Sequence, residues 1–237
     1  MAFSNLLTVA YWGTNTVEVF ELSSTLKSVA ISPSLPAIVR SLVLYNFGTG
    51  ESSKFPNHYP YLLAGLGDGS VATMSWKEIR KPVVDGGSGR DVNLSDLKVT
   101  SLGHAPVNLS SCEVDGRKSV LAAGNRATVF FMEKGRLVNS PIMLKARLLL
   151  SILPVIHQIR CIQEISASCS LNTAAFPASL VLAAPGGLFI GCVKDVNKMH
   201  IRTVSSYRWL SVACLDTFRV GAIRTRQSSS NCPPAIS

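Results

Sequence analysis

Chemistry-bearing side chains are present in this sequence, but not at spacings that would let them act together. The histidines are His58, His104, His157 and His200. None has a second His or Cys at metal-ligand spacing, so structural roles are expected for all of them. The cysteines stand at positions 112, 161, 169, 192, 214 and 232. No pair forms Cys-x-x-Cys, which argues against zinc, and nothing suggests a disulfide framework. Cys192 and Cys214 sit in apolar runs and read as small buried hydrophobes. The run GLGDG at 65–69 is glycine-rich. A dinucleotide site needs G-x-G-x-x-G leading into a helix, whereas here a strand-like SVATM follows, so a hairpin turn is expected. DGGSGRD at 85–91 reads as a loop. No G-x-S-x-G elbow and no spaced carboxylate pair occurs. No catalytic, metal-binding or cofactor-binding residue is assigned, and no cofactor is expected. Trp12, Trp76 and Trp209 could stack on nucleic-acid bases, but their strand contexts favour packing roles.

The elements around these residues are short and β-rich, separated by Gly, Asn and Asp. One pattern recurs: an apolar strand, a small-residue turn and a second apolar strand. It spans residues 6–22, 61–76, 120–132 and 180–193. Each copy places Gly, Asn or Asp where a tight turn needs φ > 0, near Asn15, Asp68, Asn125 and Gly186. Successive turns, counted from Thr14 through Asp68 and Asn125 to Gly186, lie 54, 57 and 61 residues apart. A four-stranded propeller blade repeats every ~40–50 residues, so blades with long loops fit. Further strands are expected at 37–45, 97–102 and 107–114. The expected fold is all-β: a partial, WD40-like β-propeller of about four blades, each a four-stranded antiparallel sheet. Closing such a ring takes roughly four to eight blades, so an incomplete ring is expected. Its open faces would expose apolar residues such as Leu6, Leu7 and Val9.

The bulk properties agree with a large core. The 237 residues are 47% hydrophobic and 16% charged, with net charge +9. Charge is below the usual quarter, which suggests a surface partly covered by something else. The basic residues are scattered. Lys77, Arg80 and Lys81 form one small group, and Arg202, Arg208, Arg219, Arg224 and Arg226 enrich the end. Neither group is a basic run, so weak, salt-sensitive DNA or RNA contact is the most that charge supports. No membrane span is expected, because the longest apolar run, 148–156, is short and carries Pro154. The first residues lack a basic region before their apolar stretch and do not read as a signal peptide. Two glycosylation sequons, at Asn93 and Asn108, are read as chance.

Five strings in order carry a family resemblance: HYPYLLAGLGDGSV, SDLKVTSLGHAPVNL, VLAAGNRATVFF, SLNTAAFPASLVLA and KDVNKMHIRTV. Together they resemble the large subunit of the UV-damaged-DNA-binding complex. Its relatives are the large subunits of the cleavage and polyadenylation specificity factor and of splicing factor 3b. The similarity runs over roughly 6–225, and the stretch from Met199 to Val204 favours the damage-binding branch. The resemblance implies that residues 1–204 are later blades of the second of three propellers. Residues 205–226 would enter the third. Residues 227–237 would be a disordered tail. Residues 147–163 have no counterpart in the family. They read as a divergent insertion, expected as a poorly packed loop or marginal helix outside the blade.

The same resemblance implies a function: a non-enzymatic interaction scaffold. Family members act as the adaptor of a cullin 4 ubiquitin ligase. Their partners are the cullin 4 scaffold and substrate-receptor proteins. Their processes are DNA damage repair and ubiquitin-dependent protein turnover, in the nucleus and also the cytoplasm. A direct nucleic-acid-binding propeller like those of the RNA-processing relatives is the alternative, and a truncated product without independent function is a third.

Overall fold

The computed structural model describes residues 3, 5–24, 26–48, 59–79, 91–114, 116–147, 159–162, 164–173, 176–184, 187–195 and 198–205. Within them every regular element is a strand: β1 Leu6–Ala10, β2 Val17–Leu22, β3 Leu26–Ile31, β4 Val39–Asn46, β5 Pro60–Leu66, β6 Ser70–Ile79, β7 Asp91–Ser101, β8 Asn108–Val114, β9 Arg117–Ala123, β10 Thr128–Glu133, β11 Arg136–Pro141, β12 Met143–Arg147, β13 Ile159–Ile162, β14 Ala167–Thr173, β15 Phe176–Ala184, β16 Gly187–Asp195 and β17 Lys198–Ser205. The proposed third-propeller entry from 206 onward and the tail lie outside the described residues, as do 85–90, His58, His157 and Trp209.

The strands form four sheets in sequence order. Their strand orders are β1-β2-β3, β4-β5-β6-β7, β8-β9-β10-β11 and β13-β12-β17-β16-β15-β14. The four hairpins anticipated from the repeat are β1–β2, β5–β6, β9–β10 and β15–β16, one per sheet. The partial-propeller expectation holds, though not every sheet has four strands. The first has three, and the fourth gains two.

That gain corrects the expectation for 147–163. Arg147 ends β12, and Ile159–Ile162 is β13, paired antiparallel with it over Leu144↔Ile162 to Arg147↔Ile159. β12 in turn lies parallel to β17. The ends of the segment therefore extend the outer edge of the fourth sheet instead of forming a loop or helix. Apolar and β-branched residues such as Ile159 and Ile162 suit that edge. Residues 148–158 are outside the described residues.

Side-chain alternation explains why the sheets stack. Leu62 packs toward the first sheet with Val17, Val19 and Met74, while its neighbour Leu63 packs toward the third with Val107, Val120 and Phe130. Leu121 then faces the fourth sheet with Val129, Leu180 and Leu182. Both faces of the middle sheets are thus buried, and the strands read as continuous apolar runs (YLLAGL, VLAA) rather than as alternation. Full burial of each such Leu contributes roughly 1.5–3 kcal/mol.

Hydrogen bonds define which strands are equivalent. The N–H of Leu102, just after β7, donates to the Gly69 carbonyl in the β5–β6 turn at 2.9 Å. Ile142, after β11, donates to Ala127 in the β9–β10 turn at 2.8 Å. Leu35, after β3, donates to Asn15 in the β1–β2 turn at 2.6 Å. So β1, β2 and β3 are the second, third and fourth strands of a blade. The first-strand position is filled by β4, β8 and β14 in the other sheets. These inner strands touch one another in turn, β4 against β8 and β8 against β14.

Candidate interaction surface

The inner strands are joined by hydroxyls rather than by apolar contact. Ser41, Ser110 and Ser168 pair with Gly65, Leu121 and Leu182 of their second strands. Ser41 Oγ donates to the Val107 carbonyl of the next sheet at 2.8 Å. Ser110 Oγ donates to the Ser168 carbonyl at 2.8 Å and shares a 2.7 Å bond with its hydroxyl. Asn108 Oδ1 accepts from Ser168 Oγ at 3.2 Å. Buried hydroxyls need partners, and here each finds one on the adjacent blade, which fixes the blades' relative height. Asn108 is thereby committed to structure, in keeping with the chance reading of its sequon.

The turn residues do less, and more, than the sequence suggests. Gly69 alone among the four anticipated turns has a described positive φ, at 88°. Asp68 instead binds its own strand: its Oδ1 accepts from the Ser70 N–H at 3.0 Å and from the Ser70 hydroxyl at 2.6 Å. Asn125 bridges loops. Its Oδ1 accepts the His104 N–H at 2.8 Å and the Ala105 N–H at 2.5 Å. Asn and Asp are thus used here for side-chain bonds to backbone rather than for left-handed conformation. GLGDG is a hairpin turn with no helix behind it. Gly186 lies outside the described residues; Ala184 and Gly187 pair on either side of it.

The ionisable groups are structural. Lys77 Nζ binds Asp96 Oδ2 at 2.8 Å across the β6–β7 bulge, where Asp96 has φ 57°. The Lys77 hydrogen bond, joined by Ser75, holds the Asp96 carboxyl down to about 2. Burial pushes the Cys112 thiol up to about 12 and raises Cys169 as well, so neither is a ready thiolate. His104 is exposed in its turn, and His200 lies on β17. Lys118 stands opposite Glu113, and Arg136 opposite Glu133. The described basic residues are therefore interleaved with acids rather than gathered on one face.

The tryptophans divide. Trp76 packs in the core between the first two sheets, edge-on to Phe3 at 6.2 Å, with its indole N–H unpartnered. Trp12 is 81% exposed in the β1–β2 turn, contrary to its expected packing role. It sits beside the one sheet face with no described neighbour. Val17 and Val19 point from β2 into the core, so Glu18, Phe20 and Leu22 point away, together with Leu7, Val9, Leu26 and Ile31 by register. Leu26 and Ile31 are 65% and 63% exposed and Leu7 is 42% exposed, while Leu6 and Val9 are half-buried. Residues of the same kind on the middle sheets are covered by the next blade. This apolar face and the edge of β1 are the surface the sequence located only in part.

Comparison with known sequences accounts for this architecture. Residues 1–193 match the RSE1/DDB1/CPSF1 second beta-propeller family. The chain belongs to this family. Among its relatives, DNA damage-binding protein 1a of Arabidopsis thaliana is 31% identical over 202 residues, covering 85% of this chain and 15% of that protein. DNA damage-binding protein 1b of the same plant is 29% identical over 231 residues, covering 96% of this chain and 18% of that protein. DNA damage-binding protein 1 of Drosophila melanogaster is 31% identical over 144 residues, covering 61% and 10%. The chain thus spans about 15% of the length of such a relative. The resemblance read from the five strings and the second-propeller assignment of residues 1–193 agree with this match.

Proposed function

We propose that this chain is a non-enzymatic protein-interaction scaffold. It would supply second-propeller blades of a damage-binding-type adaptor that docks the cullin 4 scaffold of a ubiquitin ligase. Its processes would be DNA damage repair and ubiquitin-dependent protein turnover, in the nucleus and also the cytoplasm. The observation that carries this reading is the second-propeller match over residues 1–193. Two features of the site support it. The ionisable groups are engaged in structural bonds, and the large exposed side chains Trp12, Leu26 and Ile31 are of the kind that anchor partners.

The interleaving of Lys118 with Glu113 and of Arg136 with Glu133 favours scaffolding over direct nucleic-acid binding. The test is titration of the purified full chain against the amino-terminal half of cullin 4 and, separately, against intact and UV-damaged duplexes at two salt concentrations. Saturable cullin binding, with only weak, sequence-independent and salt-sensitive DNA binding, supports the scaffold. Tight, salt-resistant binding to the damaged duplex, with none to cullin, would replace it with the nucleic-acid reading.

A further inference from the structure

The first sheet has no described strand where β4, β8 and β14 stand in the other three. Strand β1 pairs with β2 along one edge, and no described strand pairs along the other. We propose that this inner edge of β1 is a strand-addition site for an extended segment of another polypeptide. The inference is independent of the cullin reading, because it concerns one sheet edge and not the partner of the propeller as a whole.

The three sister strands specify what the site accepts. Each runs antiparallel to its second strand: β4 to β5, β8 to β9 and β14 to β15. Each carries a serine at the same height, where the second-strand partner is Gly65, Leu121 or Leu182. Those partners face Val71, Val129 and Phe189 across their hairpins. In the first sheet the corresponding cross-hairpin pair is Ala10 with Val17. The incoming segment should therefore be about five residues long, antiparallel to Leu6–Ala10, and uncharged at its centre. It should present a small hydroxyl opposite Ala10, aimed at the β4 side as Ser41 is aimed at Val107 and Ser110 at Ser168. Main-chain bonds would supply affinity, and the hydroxyl would supply register.

A second copy of this chain is the weaker occupant. Its inner strands β4, β8 and β14 are already paired with β5, β9 and β15, so it offers no free strand of this kind. The exposed Leu7, Leu22 and Leu26 beside the edge give an incoming segment further apolar surface to cover.

The probe is a synthetic peptide, Val-Arg-Ser-Leu-Val-Leu-Tyr-Asn, the sequence of β4. It is titrated into the full chain while backbone hydrogen exchange is followed residue by residue. The expected result is saturable protection of Leu6–Ala10 amides by roughly tenfold or more. Protection should be lost with a peptide N-methylated along one edge, and reduced at least roughly fivefold in affinity with lysine in place of the serine. Four results would overturn the proposal. One is no protection at β1. Another is protection confined to Pro60–Leu66, which would mean exchange with the chain's own β4. A third is the same amides already protected in a peptide-free monomer, which would mean a segment of the chain itself fills the site. The last is a peptide-free dimer in sedimentation with those amides protected, which would make the occupant a second copy.

Discussion

Replacing Asn125 by alanine removes one side-chain oxygen that holds two backbone amides of another loop. The His104 N–H, 2.8 Å away, is exposed and can turn to water; the Ala105 N–H, 2.5 Å away, is half-buried and cannot do so freely. A net hydrogen bond contributes about 0.5–1.5 kcal/mol, and leaving a buried donor unpaired costs more than replacing an exposed one. The two together give a loss of about 2 kcal/mol. For a chain of this size each kcal/mol lowers Tm by ~2–4 °C, so the variant should melt about 4–8 °C lower. Asn125→Asp keeps an acceptor oxygen in place and adds charge to both bonds, so it should stay within about 0.5 kcal/mol of the parent. Arg126→Ala, at the exposed neighbouring position, serves as the control. Urea denaturation followed by circular dichroism reads all three. If Asn125→Ala lost under about 0.5 kcal/mol, or if Asp lost as much as Ala, the bridge would not be what joins these loops.

Two glycines of one turn should respond very differently to alanine. At Gly69, φ is 88° and a Cβ would overlap the Gly103 carbonyl and lie 2.7 Å from the His104 nitrogen, so Gly69→Ala should cost more than about 3 kcal/mol in urea denaturation. At Gly67 the nearest atom would be the Ile38 carbonyl oxygen at an ordinary 3.5 Å, and the same measurement should show a loss below about 1 kcal/mol. A double-mutant cycle on Ser110→Ala and Ser168→Ala should give a coupling of about 0.5–1.5 kcal/mol; additivity would show that the hydroxyls do not bond. Asp96 is held at about 2 against 3.8 unfolded, so its stabilisation is present above about pH 4 and fades as pH falls through 2. Asp96→Asn should flatten the urea midpoint over that window, with a small amplitude because the pair is well exposed. An unchanged pH profile would mean that Lys77 does not hold the carboxyl.

The propeller was legible because its signal is repetitive and local. YLLAGLGDGSV and VLAAGNRATVFF each contain a strand, a turn and a strand, and strands buried on both faces leave long apolar runs that no surface hairpin would have. The added strands β12 and β13 were not legible. Short segments such as Ile159–Ile162 pair with residues far away in sequence, and no local pattern marks a parallel partner such as β17. The role of Asn125 was misread for a related reason. An asparagine in a turn fits a left-handed residue and a side-chain acceptor equally well, and only the position of the 103–106 loop decides. Trp12 looked like a packing residue because its strand context matches that of Trp76. What differs is whether a neighbouring sheet stands over it.

The row formed by Ser41, Ser110 and Ser168 bears on how such a ring can change over generations. Greasy surfaces tolerate sliding, since one methyl group can replace another a few ångströms away, whereas a hydroxyl reaching for a specific carbonyl does not. A duplicated or transplanted blade would therefore be accepted only if its first strand kept the serine in phase with its neighbours. The loops on the rim would be free to lengthen, as the uneven spacing of the four turns shows they have. Modularity here is conditional on one small side chain per module, and recombination between blades should leave that position as its signature.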